Sequence, residues 1–291
     1  MEKIATRNNT NIFRLYLSLT KPGIIMGNLL TAAAGFALAS KGAFDFYRFL
    51  FMIEGLACII GASCVFNNII DINLDKKMVR TKKRALPSLL ITPKNAFSFG
   101  LILALTGTAI LAFFTNISAL LCALLGLVSY VFIYTFSKYK TRYGTLIGSI
   151  SGAIPPVVGY ISFSNQFDAA TLILFLMIVF WQMPHFYAIA IFRMKDYEMG
   201  SIPILPLAKG ILATKIQIIV YCVAFIFASL FLTLIGVTSS IYLIAIELCG
   251  FYWLILSIKG ITDKDHEKWA RRVFFFSLFI IIIHCLFSIL T

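Results

Sequence analysis

Asn67, Asp71 and Asp75 are spaced four residues apart, which on an α-helix stacks their side chains on one face at ~6 Å intervals. Two carboxylates and an amide on one stripe, with Asn68 beside them, offer the oxygen donors a hard divalent cation takes. Mg²⁺ in particular shares such sites with the oxygens of a phosphate ligand. The segment KKMVRTKKR, Lys76 to Arg84, follows at once. Acids that hold a metal, next to bases that neutralise what remains, suit a diphosphate. The plainer reading is a polar helix end before a basic membrane loop, a common arrangement. Two aligned aspartates at a hydrocarbon edge argue against it, because acids at membrane depth are costly and usually functional.

A second polar cluster lies in Trp181 to Pro206, where His185, Tyr187, Arg193, Lys195, Asp196 and Tyr197 carry the chemistry. A third stretch, Tyr134 to Tyr160, adds Lys138, Lys140 and Arg142 as further anion contacts. Gly148 and Gly152 there read as a helix-packing face, and Pro155-Pro156 as a bend. A lone histidine such as His185 on an apolar helix is more often a satisfied core residue than a ligand. His266 and His284 read as structural, in a loop and near a helix end.

The elements that must position these groups are membrane helices. Of 291 residues, 60% are hydrophobic and 13% charged, with a mean hydropathy of +0.93. Apolar runs long enough to cross ~30 Å of hydrocarbon recur. They predict nine spans, at about 22–40, 47–70, 97–115, 117–137, 144–163, 169–192, 212–236, 239–258 and 272–290. The fold class is all-α and polytopic, with residues 1–291 forming a single intramembrane domain. All 25 Lys and Arg except Lys41 and Arg48 fall at one face under this alternation. The positive-inside rule then puts the N-terminus in the cytoplasm and the C-terminus outside. The net charge of +13 sits in short interhelical loops that meet lipid headgroups. No basic stripe with interleaved aromatics exists, so nucleic acid is excluded as a partner. The six cysteines lie inside apolar spans without a CxxC pair and read as small buried hydrophobes. The polar segment MEKIATRNNTNI lacks an apolar core, so no cleaved signal is expected. Glu54 reads as an interfacial acid and Glu247 as a hydrogen-bonded structural one.

On these residues the chain resembles the UbiA superfamily of intramembrane prenyltransferases, and within it the haem-farnesylating branch. The likeness rests on Asn67-Asn68-x-x-Asp71-x-x-x-Asp75, on Met78-x-Arg80-Thr81-x-x-Arg84, on Gly152-Ala153-x-Pro155-Pro156 and on Trp181 through Pro206. It implies nine helices around a central cavity in the cell inner membrane. The implied reaction moves a farnesyl group from farnesyl diphosphate to a vinyl group of haem b, with addition of water, giving haem O and diphosphate. It further implies Mg²⁺ held by Asp71 and Asp75 with Asn67, Asn68 and Asp196, the catalytic set being Asp71, Asp75, Asn67 and Asp196. Arg80, Lys83, Arg84, Lys140, Arg193 and Lys195 would neutralise the diphosphate. With haem as substrate, His185 and Tyr187 become its contacts, since neutral imidazole commonly ligates haem iron. Haem-pathway enzymes or terminal oxidases would be the protein partners. Two features depart from the pattern: only Asp196, with Glu198 nearby, marks the second aspartate motif, and Ala85-Leu86-Pro87 follows Arg84 where proline often comes directly.

Two other readings stand beside this one. A related enzyme with a quinone-precursor acceptor would share the donor site. A secondary transporter would also have many helices, but its polar groups gather at the midplane and its repeats show internal symmetry. Here the polar groups gather at one edge.

Overall fold

Residues 11–290 are described in a computed structural model of the chain. Lys3 and Arg7 of the charge count, and nearly all of the segment read as lacking a signal, lie outside them. Fourteen α-helices follow one another: α1 (Ile12–Leu19), α2 (Pro22–Ser40), α3 (Phe46–Ile70), α4 (Ile72–Lys77), α5 (Pro93–Phe114), α6 (Ile117–Val128), α7 (Thr135–Lys140), α8 (Gly144–Gly152), α9 (Ile154–Ser164), α10 (Ala169–Phe192), α11 (Met194–Met199), α12 (Leu205–Leu234), α13 (Ser240–Lys259) and α14 (His266–Ile289). A π-helical turn, Ser129–Tyr134, joins α6 to α7. The pair α6–α7 makes one span and α8–α9 another, so nine apolar spans are present among the described residues. The short α4 and α11 follow the basic-loop ends of α3 and α10.

Three spans start earlier than their apolar runs predict: α5 at Pro93, α12 at Leu205 and α14 at His266. Side-chain caps, not hydrophobicity, set the starts of α5 and α14. The Asn95 N–H donates to Thr92 Oγ1 at 3.2 Å with Pro93 in the first turn, and the Lys268 N–H donates to Asp265 Oδ1 at 3.0 Å. In α12 a Pro206 start runs into a kink at Gly210, where φ is 85°. The bend expected from Pro155-Pro156 is present: α8 stops at Gly152 and α9 restarts at Ile154.

The helices pack as a ring. α2 lies along α9, α3 along α5, and α10 against both α12 and α14, while α14 returns to α2 and closes the circuit. One apolar core joins α10, α12, α13 and α14, with Tyr242, Trp253 and Trp269 fully buried. A second joins α2, α3, α6 and α9 around Phe36 and Leu56. The α2–α9 crossing is close because it is glycine on glycine. A Cβ on Gly159 would strike the Ala32 carbonyl, and one on Gly35 the Pro156 carbonyl. Small residues that let backbones approach are what membrane helices use for tight packing.

Two basic-side residues differ from expectation. Lys215 is no loop residue: it lies within α12, 1% exposed, and its ammonium donates to the Gly260 carbonyl at 2.5 Å and the Asp263 carbonyl at 3.0 Å. It also meets His266 Nδ1 at 3.1 Å, under the Trp269 ring. Cationic side chains satisfy the last carbonyls of a helix in this way, here those ending α13. His266 is correspondingly the first residue of α14 and not a loop residue. Glu247 accepts from Ser229 Oγ at 2.8 Å, and Glu54 is exposed on α3.

Candidate functional site

A cavity of about 830 Å³ opens inside the ring, lined by α2, α3, the α6–α7 span, α8, α10 and α14, with the α4 and α11 segments at its polar rim. Asn67, Asp71 and Asp75 all reach it. Their helix is not continuous as expected, since α3 ends at Ile70 and α4 begins at Ile72. Asp71 serves as cap to both, yet its N–H still donates to the Asn67 carbonyl at 3.0 Å, and the Asp75 N–H to the Asp71 carbonyl at 2.8 Å. The four-residue period therefore survives the break, and the stripe with it.

All three polar side chains are buried, Asn67 at 2%, Asp71 at 5% and Asp75 at 4% exposure, so each needs partners. Asp71 receives the Lys138 ammonium on one oxygen and the Tyr139 hydroxyl on the other. Asp75 receives Arg84 Nη1 on both oxygens, at 3.0 and 3.2 Å, while Thr81 Oγ1 donates to its backbone carbonyl at 3.0 Å. Asn67 donates to Thr135 Oγ1 at 2.9 Å and accepts from the Lys21 ammonium at 2.8 Å. Lys21 adopts a left-handed backbone, φ 54°, a conformation that costs energy outside glycine and clusters at functional sites. Burial pushes its ammonium below the ordinary lysine value, and Arg84 and Lys138 add to this against the pull of Asp71.

Across the cavity stand Arg193, Asp196 and Tyr197 of the α10–α11 junction, with Arg80 completing the rim. Arg193 and Asp196 pair at 3.7 Å. Burial raises the Tyr197 phenol above its usual value, Arg80 opposing and Asp196 reinforcing the shift. Deeper, His185 stacks on Trp181 with ring centres 5.0 Å apart, and its Nδ1 lies 2.7 Å from Ser277 Oγ on α14. Tyr130 and Tyr134 stack on each other at 5.3 Å on the cavity side of the π-turn.

Five expected residues do not line the cavity. Asn68 is one residue off the stripe and donates to the Leu19 carbonyl at 2.9 Å. Tyr187 stands two residues, some 200°, round α10 from His185; it is buried in the α10–α12 core near Tyr221. Lys140 relates to Lys138 in the same way and is exposed, as are Lys83 and Lys195. Nor does Asp196 join Asp71 and Asp75: among the described residues no group of three or more His, Cys, Asp or Glu is placed to hold a metal. Two carboxylates do suffice for Mg²⁺ when substrate phosphates complete its shell, and Asp71 and Asp75 supply that donor set. In the other direction, Lys21, Tyr130, Tyr139, Gln182 and Arg271 belong to the site or touch it without having been singled out. Lys21 carried one signal, its place directly before Pro22 at a helix start.

Nine spans among the described residues, round an apolar chamber whose rim sets buried carboxylates among fixed cations, define a polytopic helical membrane protein. The chain belongs to the UbiA prenyltransferase family, whose model matches residues 28–279. A protoheme IX farnesyltransferase of Protochlamydia amoebophila (strain UWE25) is 50% identical over 266 residues, covering 91% of this chain and 94% of that protein. One from Serratia proteamaculans (strain 568) is 46% identical over 268 residues, covering 92% and 90%. Among solved structures, a digeranylgeranylglyceryl phosphate synthase superposes with a TM-score of 0.79 at 20% identity, covering 96% of this chain and 99% of that one. A UbiA homologue from Archaeoglobus fulgidus bound to GPP and Mg²⁺ superposes with a TM-score of 0.69 at 15% identity, covering 95% and 100%. The expected architecture, nine helices around a central cavity, is present among the described residues, and these neighbours share its fold.

Proposed function

We propose that the chain farnesylates haem b at a vinyl group, taking the farnesyl group from farnesyl diphosphate and adding water to the same vinyl group, giving haem O and diphosphate. Family membership and relatives of that activity at up to 50% identity support the reading. One structural observation carries it: Asp71 and Asp75 face the rim of an apolar cavity, each already in contact with a cation that could transfer to a diphosphate.

In this reading Asp71 and Asp75, aided by Asn67, hold Mg²⁺, which supplies charge neutralisation at the leaving diphosphate. Lys138 and Arg84 turn from the carboxylates to the diphosphate, joined by Lys21, Arg80 and Arg193. Stabilising charge as it develops is usually the largest catalytic contribution. The apolar wall shields the allylic cation from premature water, and the faces of Tyr130 and Tyr134 steady it. His185 meets the haem iron. Asp196 holds Arg193 toward the rim, while Asn68 and Tyr187 support from behind. We further propose that residues 1–291 act as one intramembrane domain in the cell inner membrane. Its N-terminus lies in the cytoplasm, and haem-pathway enzymes or terminal oxidases receive the product.

The test is purified protein incubated with haem b and farnesyl diphosphate, with and without Mg²⁺, followed by mass spectrometry of the pigment. A farnesylated, hydrated haem that depends on Mg²⁺ is expected. Prenylation of a quinone precursor but not of haem would overturn the acceptor, and substrate flux without covalent change would overturn the chemistry.

A further inference from the structure

Ser277 sits on α14, fully buried, and its hydroxyl makes two contacts. Oγ is 2.5 Å from the Phe274 carbonyl and 2.7 Å from His185 Nδ1. A carbonyl has no proton to give, so the single hydroxyl hydrogen of Ser277 must occupy the Phe274 contact. Toward His185 the hydroxyl then offers only lone pairs, and Nδ1 must be the donor. The imidazole stands among the rings of Trp181, Phe186 and Phe274, and no described carboxylate is paired with it, so a second proton would be an unpaired buried charge. It therefore carries one proton, on Nδ1, and Nε2 keeps its lone pair. Among the described residues Nε2 has no hydrogen-bond partner, and His185 lines the cavity.

The same serine also fixes the plane of the ring. Trp181 Nε1 donates to the Ser277 carbonyl at 2.9 Å, and the Trp181 indole stacks on His185 at an interplanar angle of 25°. Phe274 covers the imidazole at 4.8 Å. One residue thus holds the imidazole through its hydroxyl and the stacking partner through its carbonyl. His284 makes a useful contrast. Its Nδ1 meets the Tyr242 hydroxyl at 2.9 Å, but its Nε2, buried and unpartnered among the described residues, does not line this cavity.

We propose that Ser277 is a positioning residue that locks His185 in the Nδ1–H tautomer and so presents the Nε2 lone pair to the iron of a haem substrate. Ligating histidines are generally oriented by such a partner on the other ring nitrogen, and loss of that partner typically costs ~10–100-fold in metal affinity. The final step rests on the haem reading of His185; the tautomer does not.

The experiment has two arms. In the first, ¹⁵N-histidine-labelled protein in detergent is examined by NMR without haem, with His185 assigned by subtracting the His185→Ala spectrum. A proton-bearing Nδ1 and a bare, pyridine-type Nε2 are expected; a proton on Nε2 overturns the proposal without need of any serine variant. In the second, haem b is titrated into wild type, Ser277→Ala, Ser277→Thr and His185→Ala, reading the Soret band and the dissociation constant. Ser277→Ala should weaken binding by ~10–100-fold and shift the band, while Ser277→Thr, which keeps the hydroxyl, should restore both. If His185→Ala loses haem but Ser277→Ala binds as wild type, the positioning role falls alone. If His185→Ala binds haem unchanged, the haem step falls and the tautomer assignment stands on the NMR.

Discussion

Arg84 lays its Nη1 across both carboxylate oxygens of Asp75, at 3.0 and 3.2 Å, and so links two positions nine apart in the chain. Asp75 is buried while Arg84 keeps a third of its side chain exposed. The pair is therefore asymmetric: the acid is fixed and the base can leave. Removing the base strands a buried charge, which is costlier than losing a surface ion pair. Arg84→Ala should destabilise the protein by roughly 1–2 kcal/mol, after discounting for the exposure of Arg84. It should also cut farnesyl transfer by ~10²-fold through loss of diphosphate neutralisation. Thermal denaturation in detergent and initial rates at saturating haem check the two separately.

Asp71→Asn and Asp75→Asn keep the size of each side chain and one acceptor oxygen but remove the charge. The variants should fold, and turnover should drop by at least ~10²-fold because the divalent cation loses a ligand. Rates measured across a Mg²⁺ titration decide the matter. Folded variants that turn over at the wild-type rate would falsify the metal assignment.

Lys21 makes stability pH-dependent. Burial, reinforced by Arg84 and Lys138, holds its folded-state value below the 10.5 of a free lysine. Between that lowered value and 10.5 the unfolded chain binds more protons than the folded one, so stability rises with pH across the window. Lys21→Met should flatten that rise. Melting temperatures of the two proteins, taken at pH steps up to 10.5, give the comparison; parallel curves would remove Lys21 as the cause.

The α2–α9 crossing offers a structural check. A methyl group at Gly159 has no room beside the Ala32 carbonyl, whereas one at Gly27 meets nothing within 4 Å. Gly→Ala inside a helix ordinarily gains ~0.5–1 kcal/mol, and forced overpacking costs ~1–3. Gly159→Ala should lower the melting temperature and Gly27→Ala should hold or raise it. Equal effects at the two sites would contradict the packing described.

Much of this architecture is written in the sequence. Apolar length gives the nine spans, and the four-residue period of Asn67, Asp71 and Asp75 gives their common face even across the break at Asp71. What escapes is whatever a neighbouring helix decides. Tyr187 and Lys140 each lie two residues from a cavity-facing partner, and no local pattern says which of the two faces inward. Tyr130 and Tyr134 come together through a π-turn whose register hydropathy does not encode. Lys215 looks like one more basic loop residue until the end of α13 is brought beside it, and the early starts of α5 and α14 depend on polar caps that an apolar window passes over.

The buried ammonium of Lys215 grips the last carbonyl of one helix, the turn after it and the first residue of the next, all from a third helix. Fastened at one end in this manner, α12, α13 and α14 form a backing plate that resists splaying. On the other side of α14 the wall continues into α2, whose Gly23 and Gly27 leave its cavity face bare.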